Sequence, residues 1–260
     1  MKNHYFALRQ FTIHQERCAM KVGTDGTLLG AWANGNQNQN EDENQNENQN
    51  ENGNEIILDV GTGTGLIALM MAQRFPKAQV IGIDIDADAV LQAQENVAAS
   101  PFADRVTILL QDFSVLTSHL SLSNSHLFRR GVRGEATHLS SIVCNPPFFT
   151  QSLPCPDDKR TMARHDDTLS YRTLATNAWQ LLSDGGDLSV IVPTDQQARM
   201  EAEAVLAGFS LCRECKVKTS ANKPPKRVLL AFRKHPSTPL RSTLTIGSAE
   251  YHELTKDFYL

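Results

Sequence analysis

Asp59-Val60-Gly61-Thr62-Gly63-Thr64-Gly65 sets three alternating glycines between an apolar run that reads as a buried strand, 56–60, and an apolar stretch that reads as a helix, 66–75. Glycine lets a backbone turn sharply and approach a ligand with no Cβ in the way. Dinucleotide enzymes use a related loop with the spacing G-x-G-x-x-G. Here the spacing is G-x-G-x-G, and a carboxylate, Asp59, stands in the strand just ahead of the first glycine. A pyrophosphate at that place would meet like charge. The ammonium of an amino-acid moiety would be attracted, directly or through water. A second acid, Asp84, ends the next strand-like run, 79–84, where a carboxylate can accept from both hydroxyls of a ribose. Asp86 competes for that role and also reads as the N-cap of a helix over 86–99. A third acid, Asp112, closes the run 106–112 and can accept from an adenine amine, with Phe113 beside it to pack on the ring. Ammonium, ribose and adenine are parts of S-adenosylmethionine. Asp59, Gly61, Gly63, Gly65, Asp84 and Asp112 are therefore candidate contacts for that cofactor in preference to NAD.

Asn145-Pro146-Pro147-Phe148 follows a further strand-like run, 140–145. Two prolines fix φ and stiffen the loop, and a bare turn would need neither the polar Asn nor the aromatic ring. An aromatic or amide amine is a poor nucleophile, because its lone pair is delocalised into a π-system. An Asn145 side-chain oxygen and a Pro146 carbonyl that each accept one N–H would draw the nitrogen toward tetrahedral geometry. Phe148 would offer a face on which a base can stack. Such a site works by positioning and needs neither a metal nor a covalent nucleophile. No H-E-x-x-H or nucleophile-elbow pattern is present. The Cys212/Cys215 pair lacks the further ligands that a zinc site needs and reads as reduced thiols in or near a strand. No metal is expected.

These loops must be held by elements that alternate. Beyond the runs above, 171–182 reads as a helix stopped by Asp184-Gly185-Gly186, 188–193 as a strand, 195–208 as a helix, and 210–218 and 227–234 as strands flanking a Pro-rich, hairpin-like loop at 222–226. The pattern implies an α/β fold, a mostly parallel seven-stranded sheet with helices on both faces, whose ligands sit at the carboxyl ends of the strands. Residues 36–54 are almost entirely Asn, Gln and Glu, with nothing to bury, and read as a disordered loop. They separate an N-terminal segment, 1–35, from the main domain, 55–260. The chain of 260 residues carries a formal charge of −4, but five acids and no base lie in 36–54, which leaves 24 acids against 25 bases elsewhere. A near-neutral folded part permits an RNA partner. With no apolar run long enough for a membrane helix and no signal-peptide core, the protein is expected in the cytoplasm.

With both motifs in place, the sequence resembles a Rossmann-like class I methyltransferase of the amino-methylating group. Residues 11–32, with Lys21-Val22-Gly23-Thr24-Asp25 at their centre, resemble the opening of the bacterial tRNA1(Val) (adenine(37)-N6)-methyltransferase family. The resemblance runs over nearly the whole chain, through 227–232 and 254–260. It implies transfer of a methyl group from S-adenosylmethionine to an adenine amine of the tRNA anticodon loop, by a monomer. It also implies that the N-terminal segment covers the cofactor, which makes Lys21, Gly23, Thr24 and Asp25 candidate contacts beside Asn145. That family usually carries Tyr where this chain has Phe148. Residues 36–54 and 117–138 read as insertions, the second holding Arg129, Arg130 and Arg133.

Lys223, Lys226 and Arg227 form a basic place that could grip RNA phosphates, and Arg164 could face the substrate. Asn-Pro-Pro-Phe is also typical of guanine-N2 methyltransferases acting on ribosomal RNA, and release-factor glutamine methyltransferases share Asn-Pro-Pro. The glutamine enzymes resemble a form with a longer helical domain ahead of the glycine loop. DNA adenine methylation would call for a target-recognition domain, and none is visible. A catalytically silent RNA-binding protein is the reading from another class; the intact glycine loop and Asn145 argue against it.

Overall fold

The computed structural model describes residues 4–18, 21–34, 55–116, 139–147 and 169–259. The tract 36–54, the insertion 117–138, Phe148 and Arg164 lie outside the described residues.

An eight-stranded sheet organises the chain: β3 (Ile56–Val60), β4 (Gln79–Asp84), β5 (Val106–Leu110), β6 (Leu139–Cys144), β7 (Leu182–Pro193), β8 (Ser210–Lys218), β9 (Arg227–Arg233) and β10 (Leu240–Thr245), in the order β10-β8-β9-β7-β6-β3-β4-β5. A separate hairpin, β1 (Tyr5–Ala7) and β2 (Thr12–His14), pairs antiparallel near the N-terminus. Among the described strands of the large sheet, only β9 runs against its neighbours. The helices are α1 (Thr24–Trp32), α2 (Leu66–Arg74), α3 (Ala87–Ala98), α4 (Tyr171–Leu181), α5 (Gln197–Leu206) and α6 (Ala249–Thr255).

Side chains alternate across a strand, so a strand covered on both faces must be apolar throughout. β3 is buried at all five positions. Its Ile57 joins a core with α1, α2, α3 and α6, while Ile56 and Leu58 join a second core with α4 and α5 on the other face. The N-terminal segment enters the first of these cores through Ile13, Leu28 and Leu29. α1 lies close on α2: a Cβ added at Gly30 would come within 2.8 Å of the Met70 sulfur, so glycine sets how near the two helices approach.

Three sequence expectations need correction. The sheet has eight strands, where seven were expected: β10 adds parallel to β8 at the edge, and it is mostly exposed, so its hydrophobic pattern is weak. Asp184-Gly185-Gly186 does not separate a helix from a strand. β7 begins directly after α4, and the extra residues are absorbed in a register shift against β6 between Leu139 and Ser141. The helix expected over 195–208 starts as a short 3-10 turn, Thr194–Gln196, before α5.

Candidate active site

β3 delivers the chain into the glycine loop at the point where the sheet order switches, between β4 on one side and β6 on the other. Gly61, Gly63 and Gly65 all hold left-handed φ, at 70°, 53° and 80°, a region that other residues enter at a cost. The N–H groups of Gly61 and Thr62 bond to the Ile83 carbonyl, each at 2.9 Å, which ties the loop to the end of β4. A Cβ built at Gly61 or Gly63 meets nothing within 4 Å, so these two glycines face open space. Gly65 plays another part: it precedes α2 and packs against Ala93 of α3, and it is not on the wall of the cavity described below.

Asp59 lies behind this loop. It is fully buried, accepting from the Thr62 hydroxyl at 2.7 Å and from the Ala68 N–H at 3.1 Å. Burial pushes its carboxyl up to about 7, partly opposed by those two donors. One oxygen of Asp59 thus braces the loop from inside, while its other oxygen is buried with no partner among the described residues; Asp59 itself is not on the cavity wall, and the sequence reading gave it a direct or water-mediated ligand contact. Asp84 does reach the wall. One of its oxygens accepts from Gly63 N at 2.8 Å and the other from Asp86 N at 3.0 Å. Each carboxylate oxygen keeps further acceptor capacity for hydroxyls. Asp86 caps α3, accepting from the Asp88 and Ala89 N–H groups, and also lines the cavity, so both roles weighed for it are sterically open. Asp112 is exposed at the end of β5 and caps the turn Phe113–Val115 through Ser114 N at 2.7 Å.

These ends enclose a cavity of about 1140 Å³. Beside the glycine loop, its wall includes the N-terminal segment, with Lys21, Gly23, Thr24 and Asp25 all on the lining. Gly23 is extended at φ −134° and leads into α1 with no side chain capping the helix. Asn145, at the end of β6, completes the floor beside Cys144; Pro146 is buried behind it and Pro147 lines the cavity. The side-chain oxygen of Asn145 is buried and accepts no hydrogen bond from any described residue. The charged groups on the lining are four acids, Asp25, Asp84, Asp86 and Asp112, against one base, Lys21, so the cavity favours a cation.

Two candidate residues meet in an unexpected way. Arg227 was read as an RNA contact and Asp25 as a cofactor contact, yet Arg227 Nε donates to Asp25 Oδ2 at 2.8 Å, an ion pair between β9 and α1. That pair ties the Nε edge of the guanidinium to the N-terminal segment. Lys223 and Lys226 lie in the loop between β8 and β9, at the carboxyl edge of the sheet and away from the cavity lining. Sequence reasoning missed Cys18, Ser170 and Thr173, which also line the cavity. Cys18 and Ser170 sit in loops with no local pattern to single them out. Cys212 and Cys215 are buried in β8 as free thiols, both pushed up by burial, Cys212 to about 11. No group of three or more potential metal ligands occurs among the described residues.

A family model for a methyltransferase domain matches residues 57–125. Over its whole length the chain is 44% identical to the tRNA1(Val) (adenine(37)-N6)-methyltransferase of Phocaeicola vulgatus, of which 99% is covered. It is 42% identical, again over its whole length, to the enzyme of the same name from Porphyromonas gingivalis, of which 96% is covered. A solved structure of a predicted O-methyltransferase from Agrobacterium tumefaciens overlays with a TM-score of 0.59 at 18% identity, covering 90% of this chain and 96% of that one, a likeness of fold.

Proposed function

The chain belongs to the tRNA1(Val) (adenine(37)-N6)-methyltransferase family, and from that membership we infer that it transfers a methyl group from S-adenosylmethionine to the N6 amine of adenosine 37 in the anticodon loop of tRNA1(Val). The residues of the cavity fit that cofactor. Gly61 and Gly63 leave the backbone open to a ligand, Asp84 and Asp112 supply acceptors, and the acid excess suits a molecule carrying both an ammonium and a sulfonium. When bound, the cofactor supplies an electrophilic methyl group on a positively charged sulfur. Lys21, Gly23, Thr24 and Asp25 form the wall that excludes water from it.

One observation carries the catalytic reading: the buried Asn145 oxygen that no described residue satisfies. An unpaired buried acceptor is costly, and here it stands on the cavity lining, where an amine N–H can satisfy it. Asn145 Oδ1 and the Pro146 carbonyl take the two N–H groups of the target amine, hold the nitrogen in place and turn its lone pair toward the methyl group. Phe148 stacks on the base, which must be extruded from the anticodon loop to arrive there. Lys223, Lys226 and Arg164 draw in the phosphate backbone. The enzyme works in the cytoplasm as a monomer; none of the described helices is long and apolar enough to cross a membrane.

The test is methyl transfer from labelled S-adenosylmethionine to small RNA from a strain lacking this gene, with nucleosides analysed after digestion. Wild-type protein is expected to place N6-methyladenosine in tRNA, and Asn145→Ala to lower the rate by at least about a hundredfold, the scale of losing one preorganised catalytic hydrogen-bonding group. Label in N2-methylguanosine would move the protein to the guanine-modifying enzymes.

A further inference from the structure

Helix α3 carries two side-chain amides on its buried face, Gln92 and Asn96, which are 2% and 1% exposed among the apolar Ala89, Val90, Ala93 and Val97. Four residues apart, they lie one above the other on that face. A buried amide is costly unless its donors and acceptor are all engaged. These two spend their bonds mainly on backbone outside their own helix. Asn96 Oδ1 accepts from His14 N at 2.9 Å, while its Nδ2 donates to the His14 carbonyl at 2.8 Å and to the Thr64 carbonyl at 2.9 Å. Gln92 Oε1 accepts from Glu16 N at 3.1 Å and Arg17 N at 3.3 Å. Past these residues the Gln15 side chain accepts from Val22 N at 2.7 Å, and the Gln15 carbonyl accepts from Lys21 Nζ.

Thr64 belongs to the glycine loop, which lines the cavity, and His14 to Arg17 precede Lys21–Asp25, which also line it. Asn96 is thus a single side chain, outside the cavity, that holds the glycine loop directly and, at His14, the segment that leads to the covering residues. We propose that Asn96, assisted by Gln92, is a positioning residue that fixes the spacing between the glycine loop and the covering segment and so keeps the methyl-donor site in its binding-competent form. The proposal rests on the reading that this cavity holds S-adenosylmethionine. The function demands an amide, which offers an acceptor to His14 N and donors to two carbonyls at once. A carboxylate of the same shape would set charge against both carbonyl oxygens.

If the competent spacing becomes a minority state, apparent affinity for the cofactor falls by the fraction populated, and the chemical step on the bound complex is spared. Asn96→Ala, Asn96→Asp and Gln92→Ala in the full chain are compared with Val97→Ala, a core truncation on the same helix that leaves the amides intact. For Asn96→Ala and Asn96→Asp, KM for S-adenosylmethionine is expected to rise about tenfold, the scale of losing one or two buried hydrogen bonds, with kcat and the KM for tRNA within about twofold. Amide hydrogen exchange in the ligand-free variants is expected to quicken at 14–22 and 62–65 but not across β7 to β9. Gln92→Ala should affect 14–22 alone. A KM for S-adenosylmethionine no higher than that of Val97→Ala, or exchange that quickens evenly along the chain, would reduce Asn96 to an ordinary core amide and overturn the proposal. Binding of S-adenosylhomocysteine to wild-type protein, measured by calorimetry, tests the cofactor reading separately. Its absence would sink that reading and, with it, the positioning role of Asn96.

Discussion

Asp84 and Asn145 serve as acceptors for different reasons, and the difference sets what each substitution should do. Asp84 already holds Gly63 N and Asp86 N and would add ribose hydroxyls to them. Asp84→Ala removes the loop's support and the ligand's acceptor together. KM for S-adenosylmethionine is expected to rise about ten- to a hundredfold, the range for a hydrogen bond to a charged group, with kcat affected less. Equal losses in kcat and kcat/KM would place Asp84 with the reacting amine instead. The acids at strand ends were legible in the sequence because a carboxylate closing an apolar run stands where the sheet meets its ligand. The bracing role of Asp59 was not legible, since nothing local reveals that Thr62 and Ala68 both lie close enough to bond one of its oxygens.

At the level of elements, α1 ties the two ends of the chain together. Its Asp25 meets Arg227 at the start of β9, while its buried face packs on α2. Neither contact can be read from spacing, because Asp25 and Arg227 are 202 residues apart. The sequence marked this segment only through its family resemblance and gave no helix there, and its two internal glycines look like helix breakers until the Met70 contact shows why Gly30 is there. The ion pair separates two kinds of basic residue in the β8–β9 region. Lys223→Glu with Lys226→Glu is expected to weaken tRNA binding and to lower the slope of log affinity against log salt by roughly one to two, about one for each phosphate no longer neutralised. KM for S-adenosylmethionine should stay unchanged. Arg227→Ala should do the reverse in kind, raising KM for S-adenosylmethionine by loosening α1, with little change in the salt slope. Filter binding across a salt series distinguishes the two, and a salt slope that moves only with Arg227 would reassign the RNA contact to it.

Across the whole molecule, the sheet buries two carboxylates on its interior strands, Asp59 on β3 and Asp187 on β7. Asp59 lies at the carboxyl ends of the strands, and Asp187 opens the central stretch of β7, with Ser189 Oγ donating to it at 2.7 Å and Arg213 and Arg233 nearby. Burial is the largest influence on both, holding Asp59 up to about 7 and Asp187 up to about 6. In the unfolded chain each would titrate near about 3.9. Their folded values are raised, so below about 4 both are protonated in either state and their contribution to stability is fully present. As pH rises, the unfolded chain gives up these protons first. Stability is then lost progressively, through about 6 for Asp187 and about 7 for Asp59. Each contributes a slope of about 1.4 kcal/mol per pH unit within its own window. Between those two values only Asp59 is still losing its proton. Urea unfolding of wild type, Asp59→Asn and Asp187→Asn at matched ionic strength reads the windows apart. The difference between wild type and Asp187→Asn should level off above about pH 6, and that between wild type and Asp59→Asn should keep changing to about pH 7. The slopes are the quantity to compare, because each Asn also disturbs its partners and shifts the absolute stability. Parallel curves for all three proteins would mean that neither carboxylate holds its proton on folding, and that water or a cation reaches these sites.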